Sequence, residues 1–207
     1  MVNSIYFEKG YDYEGRFGSY WYQLQEIIKI TKDGIVLEIG PGSNFLRDYL
    51  TKRKIKVETL DISSSSNPKY IGSVTAIPCE SNKYDCVVGF EVMEHLPFTE
   101  FRIGLQEMAR VSKKWVLFSV PDVRWFLSVD VRLFSIDKSF RRILSFPRLR
   151  NRRLLPPIGP KDHHWEIGRL GMHLSKIASE IANTGLVVEK HYRIPSNPIH
   201  HMFILKK

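Results

Sequence analysis

Short strand patterns alternate with helical patterns up to residue 121, and this alternation constrains the fold more than any other feature of the sequence. The strong strand patterns are IVLEIG, KVETLD, YDCVVGF and WVLFSVP, and KYIG is a weaker one. They are short and rich in β-branched and aromatic residues. Helical spacing of apolar residues precedes the first pattern, over 18–33, and recurs between later ones. Because strands that alternate with helices form parallel sheets covered on both faces, we predict an α/β fold.

The C-terminal part adds one helix and two strands. HLSKIASEIANTG carries a clean helical stripe, and LVVEKHY and HHMFILKK have the composition of strands. About six residues join these two strands, whereas a parallel crossover needs about a dozen. We therefore predict a mostly parallel seven-stranded sheet with the last strand antiparallel and helices on both faces.

The segment VLEIGPGSN places a tight glycine turn directly after the first strand. Ligands of such sheets bind beyond the carboxyl ends of the strands, so this turn belongs to the expected binding crevice. Gly40 and Gly42 let the backbone approach a ligand closely, although a plain strand-to-helix turn uses the same residues. A dinucleotide site requires a third glycine where this chain has Phe45. Glu38 would also set a carboxylate beside the phosphates, which like-charge repulsion disfavours.

Two carboxylates favour a different nucleoside ligand. S-adenosylmethionine carries an ammonium and a sulfonium and no phosphate, so Glu38 attracts it. Asp61 follows the second strand, where a carboxylate can accept hydrogen bonds from both ribose hydroxyls. The alternative for Asp61 is a loop cap that accepts from Ser63 or Ser64. Together, Glu38 and Asp61 favour the methyl donor as the cofactor.

Four segments carry a family resemblance. VLEIGPGSN, TLDIS, AIPCESNKYDCVVGFEVMEHL and VLFSVPD, in this order and spacing, resemble the small class I S-adenosylmethionine-dependent methyltransferases, in particular the type 11 methyltransferase-domain group. The resemblance covers about residues 35–122 and implies a Rossmann-like class I methyltransferase fold, with S-adenosylmethionine as cofactor and S-adenosylhomocysteine as product. The cofactor-binding residues that it implies are Glu38, Gly40, Pro41, Gly42, Asn44, Asp61, Ile62, Ser73, Val74, Phe90 and Glu91.

Two of these residues depart from the family pattern. Asn44 stands where the glycine-rich loop usually has a third glycine. Ser73, in YIGSVTAIP, stands where an acidic residue usually binds the adenine amino group. A serine hydroxyl accepts more weakly than an ionised carboxylate, so we expect a modest affinity for the cofactor. These departures keep open the alternative of a non-catalytic scaffold with this fold.

We expect a single methyltransferase domain over 1–207, since this length supports one sizeable core. Its expected parts are an N-terminal cap and helix (1–33), a cofactor-binding core (34–121), a basic insert or lid (122–171) and a C-terminal helix with a strand pair (172–207). The sequence shows neither an apolar run near the roughly 18 residues that span a bilayer nor a secretory signal pattern, so we expect a cytoplasmic protein. Cys79 and Cys86 lack metal-ligand spacing, and we expect no metal site.

Methyl transfer from a sulfonium needs mainly positioning and exclusion of water, and a base only when the acceptor is a weakly acidic hydroxyl. The segment KDHHWEIG offers His164 as that base and Glu166 as its orienting carboxylate, with His163 beside them. The alternative is a surface loop with Trp165 buried in the core.

Three further histidines have structural alternatives. His95, in MEHL, is expected to cap a helix or to pack. His200 and His201 open the last strand, where alternation sends one side chain to each face. At most one of them can therefore line the crevice.

The positive charge is concentrated in one segment. Residues 138–161, KSFRRILSFPRLRNRRLLPPIGPK, carry eight Lys or Arg and no Asp or Glu, which is +8 of the net +9. Their arginines are interleaved with bulky apolar residues, a mixture that suits a peripheral membrane contact or a lipid-linked phosphosugar. The segment also suits RNA phosphates, and a solvated lid is the plain alternative.

These patterns predict transfer of a methyl group to a small-molecule or lipid-linked acceptor that is anionic and reacts through oxygen. The alternative enzyme is an RNA methyltransferase that uses the basic segment. Nucleic acid is the less favoured partner because the sequence shows no recognisable RNA-binding module. The tyrosine-rich N-terminus is expected to fold over the cofactor, with Tyr13 and Arg16 as contacts.

Overall fold

The computed structural model describes residues 13–132, 139–146 and 163–207 of the chain. Its helices are α1 (Glu14–Thr31), α2 (Phe45–Lys52), α3 (Phe98–Val111) and α4 (Leu174–Ala182). Its strands are β1 (Ile35–Ile39), β2 (Lys56–Asp61), β3 (Tyr70–Ile71), β4 (Tyr84–Phe90), β5 (Ser112–Pro121), β6 (Trp125–Arg132), β7 (Ser139–Phe146), β8 (Val187–Ile194) and β9 (Asn197–Lys206). Short 3₁₀ turns lie at Ser64–Ser66 and Met93–His95.

Seven strands form one sheet in the order β3–β2–β1–β4–β5–β9–β8. Strands β1 to β5 are parallel to one another, and β9 runs antiparallel to both β5 and β8. The predicted mostly parallel sheet with one antiparallel strand is therefore confirmed. The link between β8 and β9 is shorter than the expected six residues, because β9 already begins at Asn197 and only Pro195 and Ser196 precede it.

Helices cover both faces of this sheet. Helices α1 and α2 pack on one face through residues such as Leu24 and Leu50, and α3 and α4 pack on the other through residues such as Phe101. Side chains of β9 alternate between the two faces: Met202 packs in the core under α1 and α2, and Phe203 packs in the core under α3 and α4. Each fully buried side chain of this size contributes about 1.5–3 kcal/mol to folding.

Helix α1 begins at Glu14, earlier than the predicted start at residue 18. The first turns of the helix contain two glycines, Gly15 and Gly18, which normally weaken a helix, but the packing explains them. A Cβ on Gly18 would collide with Ser196, and one on Gly15 would lie 3.3 Å from Asn197. The glycines therefore let the first turns of α1 lie directly against the β8–β9 connection, where Asn197 Nδ2 donates to Tyr13 Oη at 3.3 Å.

Strands β6 and β7 form a separate antiparallel hairpin that the sequence did not predict. Six large apolar side chains of this hairpin are exposed, so its described side chains do not form the buried face that would produce a readable pattern. Strand β7 contains the start of the basic segment. The rest of that segment, and residues 1–12 of the expected N-terminal cap, lie outside the described residues. Within the described ranges, no helix is both long and apolar enough to cross a membrane.

Candidate active site

The carboxyl ends of β1, β2, β4 and β5 meet at one edge of the sheet, as predicted. Ile39 of β1 is in register with Leu60 and Gly89, and Gly89 is in register with Phe118. Antiparallel β9 reaches the same edge with its first residues, where His200 lies opposite the end of β5. The loops that follow these strands therefore line one crevice.

The loop after β1 depends on left-handed backbone conformations. Gly40 and Gly42 have φ angles of 65° and 52°, and a Cβ on Gly40 would lie 2.6 Å from Val92 Cγ2. Asn44 also has a positive φ, of 64°. Asparagine tolerates this conformation better than most residues other than glycine, which explains why it can replace the family's third glycine.

Asn44 also ties two loops of the crevice together. Its backbone N–H donates to the Pro41 carbonyl at 2.8 Å, which closes the turn that leads into α2. Its side-chain Nδ2 donates to the Ser66 carbonyl at 3.0 Å, in the loop after β2. Asn44, which replaces the family's third glycine, therefore links the two loops that the sequence predicted to bind the cofactor.

Glu38 is buried on β1, with 4% of its surface exposed. Burial raises the pKa of its carboxyl to about 8, although the charge and the backbone N–H of Arg47 lower it. Among the described residues, its Oε2 has no hydrogen-bond partner. A buried polar atom without a partner costs about 1–3 kcal/mol. An ammonium would supply both the missing donor and a charge that favours the ionised carboxylate, so Glu38 fits the methionine end of the predicted cofactor.

Asp61, at the end of β2, forms the loop cap that was the alternative to ribose binding. Its Oδ1 accepts from the Ser63 backbone N–H at 2.9 Å, and its Oδ2 accepts from Ser66 Oγ at 3.1 Å. Each carboxylate oxygen has a second lone pair, so the cap and a ribose contact are compatible. Ile62, which follows, is 80% exposed, and its role towards the cofactor stays a prediction.

Ser73 uses its hydroxyl within its own turn. Its Oγ accepts from the Thr75 backbone N–H at 3.1 Å and lies 2.8 Å from Thr75 Oγ1. One lone pair remains when Ser73 donates to Thr75, so the adenine contact stays a prediction. Val74 is buried in the core that also contains Leu60, at 4% exposure.

Glu91 joins the loop after β4 to two other elements. It has a positive φ of 54° and follows Phe90, which packs on the core beside α1 and α2. Its Oε1 accepts from Ser119 Oγ at 2.8 Å, and its Oε2 lies 3.5 Å from His200 Nε2. His200 Nδ1 in turn lies 3.1 Å from Ser19 Oγ of α1. His200 is therefore the β9 histidine that lines the crevice, a contact that the sequence left open.

Burial and nearby charges both change the pKa of His200. Burial lowers the pKa of His200, the charge of Glu91 raises it, and the charges of Arg16 and His163 lower it further. The net effect keeps this imidazole neutral at neutral pH. Arg16 lies above the ring of Tyr13, 5.8 Å from its centre, at the start of α1. Contact of these two residues with the cofactor stays a prediction.

Glu166 pairs with His163, and the predicted pairing with His164 is wrong. His163 Nδ1 lies 3.0 Å from Glu166 Oε1, and Arg169 Nε donates to Glu166 Oε2 at 2.6 Å. Burial raises the pKa of Glu166, but the bonds from His163 and Arg169 outweigh it and lower the pKa. Trp165 is buried at 1% exposure, as the alternative predicted, while the side chain of His164 is exposed.

A third group of charged residues lies at the same edge of the sheet, on the sheet face opposite His200. Asp122 is fully buried and accepts from Arg193 at 2.5 Å, from Arg124 at 2.6 Å and from His201 Nδ1 at 3.0 Å. Burial raises the pKa of Asp122, but these partners lower it to about 2. A cavity of about 490 Å³ adjoins the group and is lined by Arg124, Arg142, Ile143, Ser145, Leu174, His191, Tyr192, Arg193, Pro195 and His201.

The sheet order and the two carboxylates at the ends of β1 and β2 define a class I methyltransferase fold with a crevice for a cationic nucleoside. The chain also matches a family model described as "Methyltransferase domain" over residues 19–171. It therefore belongs to the methyltransferase domain family, and the identification as a class I S-adenosylmethionine-dependent methyltransferase is confirmed. Glu38, with its buried unpaired oxygen, and Asp61 are the residues that fit this cofactor.

Solved structures show the same fold at low sequence identity. Magnesium protoporphyrin IX methyltransferase from Synechocystis PCC 6803, with bound S-adenosylmethionine, has 11% identity and a TM-score of 0.62, over 99% of this chain and 88% of that chain. A protein from Pyrococcus horikoshii OT3 has 14% identity and a TM-score of 0.63, over 99% of this chain and 96% of that chain. 1,6-Didemethyltoxoflavin-N1-methyltransferase from Burkholderia thailandensis has 10% identity and a TM-score of 0.57, over 94% of this chain and 78% of that chain. Among curated proteins, none matches the chain.

Proposed function

We propose that the protein transfers the methyl group of S-adenosylmethionine to an oxygen of a small-molecule or lipid-linked acceptor that carries negative charge. The pair formed by half-buried His163 and fully buried Glu166 carries this proposal. A hydroxyl is a weak nucleophile until it loses a proton, and an imidazole oriented by a carboxylate is a common acceptor for that proton. His163 lies beside Glu94 and His95, in the turn that follows β4, which supports the place of this pair at the crevice.

In the proposed reaction, one set of residues binds the cofactor and another removes the proton of the acceptor hydroxyl. Glu38 and Asp61 hold the two ends of the cofactor, while Glu91 fixes the loop beside its methionine part. When bound, S-adenosylmethionine would supply the methyl group: the acceptor oxygen would bond to the methyl carbon as the carbon–sulfur bond breaks, and S-adenosylhomocysteine, with a neutral sulfur, would leave. The acceptor proton passes to His163 Nε2. Glu166 keeps Nδ1 protonated and stabilises the resulting imidazolium, as its lowered pKa allows.

The surroundings of the crevice support the proposed class of acceptor. Hairpin β6–β7 exposes the large apolar side chains Trp125, Phe126, Leu127, Val129, Leu144 and Phe146. Exposed apolar residues next to arginines are typical of a surface that meets anionic lipid. The neighbouring cavity of about 490 Å³ is lined by Arg124 and Arg142, which suits a negatively charged group of the acceptor. Peripheral membrane contact through the basic segment 138–161 is part of this proposal.

A transfer assay with labelled methyl groups tests the proposal. A cell extract is separated into lipid, small-molecule and RNA pools, and each is offered to the enzyme with labelled S-adenosylmethionine. We expect label in the lipid or small-molecule pool, and a loss of about 100-fold or more in His163→Asn. His164→Asn is the matched control, because His164 is exposed and should leave the rate unchanged. Label confined to RNA would support the alternative enzyme, and equal losses in both variants would contradict the assigned base.

A further inference from the structure

A cluster of metal-ligand side chains lies where β4 ends, apart from the residues assigned to the cofactor. Glu94 and His95 belong to the 3₁₀ turn Met93–His95, and His163 reaches them from the segment before Glu166. One carboxylate oxygen of Glu94 and one ring nitrogen from each histidine all lie within 4.8 Å of one another. The side chains of Glu94 and His163 are 0% and 9% exposed. The cluster is therefore not a group of solvated surface charges.

The tautomer of His163 is fixed by its second contact. Its Nδ1 lies 3.0 Å from Glu166 Oε1, so Nδ1–H donates there and Nε2 presents a lone pair. Metal-binding histidines commonly show this arrangement with a carboxylate behind the ring. Nε2 faces Glu94 Oε1 at 3.9 Å, which is too long for a direct hydrogen bond. Two ligands of a tetrahedral zinc ion lie roughly 3.4 Å apart, so a small inward movement of these atoms would enclose a cation.

The two segments that carry these ligands are fastened together. The backbone N–H of His164 donates to the Glu94 carbonyl at 2.8 Å. Trp165 Nε1 donates to the Leu96 carbonyl at 3.1 Å, and its indole packs edge-on against Phe101. Buried packing of this kind holds ligands near their working positions before an ion arrives. The ring of His95 lies against that of His163 at 4.8 Å and completes the set.

We propose that Glu94, His95 and His163 bind a divalent transition-metal ion, with Glu166 as a positioning residue. Two imidazoles and one carboxylate suit zinc, cobalt, manganese or ferrous iron better than magnesium or calcium, which prefer oxygen ligands. Three protein ligands leave at least one coordination position open.

The role of the open position rests on the proposed function. An acceptor oxygen that takes this position loses its proton more readily. His163 Nε2 accepts the proton only in the metal-free protein; with the ion bound, Nε2 is a ligand and the acceptor proton passes to solvent. The ion would in this way replace the histidine as the group that activates the oxygen.

A cobalt titration tests the metal site without cofactor or acceptor. The full chain, free of any histidine tag and stripped with a chelator, is titrated with Co²⁺ and followed by visible absorption. We expect one equivalent to bind, and His95→Gln to weaken binding at least tenfold. His95 is exposed, so this variant should fold normally, which circular dichroism can check. Glu166→Gln should weaken binding 10–100-fold, while His164→Gln, the exposed control, should leave it unchanged.

Several results would overturn the proposal. One is the failure of the wild-type protein to bind one equivalent of Co²⁺. Another is binding that persists in both His95→Gln and His163→Gln, which would leave the cluster as a network of histidine and carboxylate ion pairs. Displacement of Co²⁺ by an equal concentration of Mg²⁺ would overturn the class of ion. Because no methyl donor is present, loss of methyl transfer with intact Co²⁺ binding would count against the acceptor proposal and not against the metal site.

Discussion

Binding of S-adenosylmethionine should release a proton from Glu38. In the free protein burial raises the pKa of this carboxyl to about 8, so at pH 6.5 only about 3% of it is ionised. The ammonium of the cofactor, placed against the buried Oε2, should return the pKa to its ordinary range or below. Binding at pH 6.5 should therefore release close to one proton. By linkage, the dissociation constant should fall about tenfold per pH unit between pH 5.5 and 7.

Calorimetry in buffers of different ionisation enthalpy measures this proton directly. The slope of the observed binding enthalpy against the buffer ionisation enthalpy gives the number of protons released. Glu38→Gln keeps the size of the side chain but cannot titrate, so its slope should be near zero and its affinity nearly independent of pH in this range. Subtracting the slope of Glu38→Gln from that of the wild-type protein also removes the protons released by the cofactor's own amino group, which has a pKa of about 8. A slope near zero in the wild-type protein would refute the assignment of Glu38 to the ammonium.

Three further results are expected. Asp61→Ala should weaken cofactor binding by about 2 kcal/mol or more, roughly 30-fold, in calorimetry; unchanged affinity would remove the ribose assignment and leave Asp61 as a loop cap. Asp122→Ala leaves buried Arg193 without its carboxylate and should lower the free energy of unfolding in urea by about 3–5 kcal/mol. The exposed control Glu189→Ala should change it by less than about 0.5 kcal/mol, and equal small effects would contradict the buried pair. Because the folded-state pKa of His200 is lowered, the unfolded chain binds protons more tightly there. Stability should therefore fall as pH drops below about 6.5, and His200→Asn should flatten that fall; an identical pH dependence in both proteins would contradict it.

Most of the sheet could be predicted because its signals are local. Short β-branched segments and helical spacing identify β1 to β5, and the length of the last connection shows that the final strand pair is antiparallel. The cofactor loop was also readable, since Gly40 and Asp61 stand at strand ends and the ends of parallel strands share an edge. These inferences need only the order of residues within one segment and its neighbours.

The acceptor side of the crevice could not be read in the same way, because its contacts join distant segments. His200 meets Ser19 and Glu91 only after α1 and β4 have packed beside β9. Which histidine pairs with Glu166 depends on the burial of Trp165. With Trp165 in the core, His163 contacts Glu166 and His164 is exposed. Hairpin β6–β7 was missed because strand prediction relies on a buried face, and most of the apolar side chains described in this hairpin are exposed.

The central claim is that the crevice holds S-adenosylmethionine and not a dinucleotide. Calorimetric titration of the wild-type protein at neutral pH with S-adenosylmethionine, S-adenosylhomocysteine and NAD tests it most directly. The loop after β1 predicts one-site binding of the first two ligands and no measurable binding of NAD, because Phe45 stands where a dinucleotide site requires a third glycine. Binding of NAD as tight as that of S-adenosylmethionine, or no binding of S-adenosylmethionine, would contradict the account.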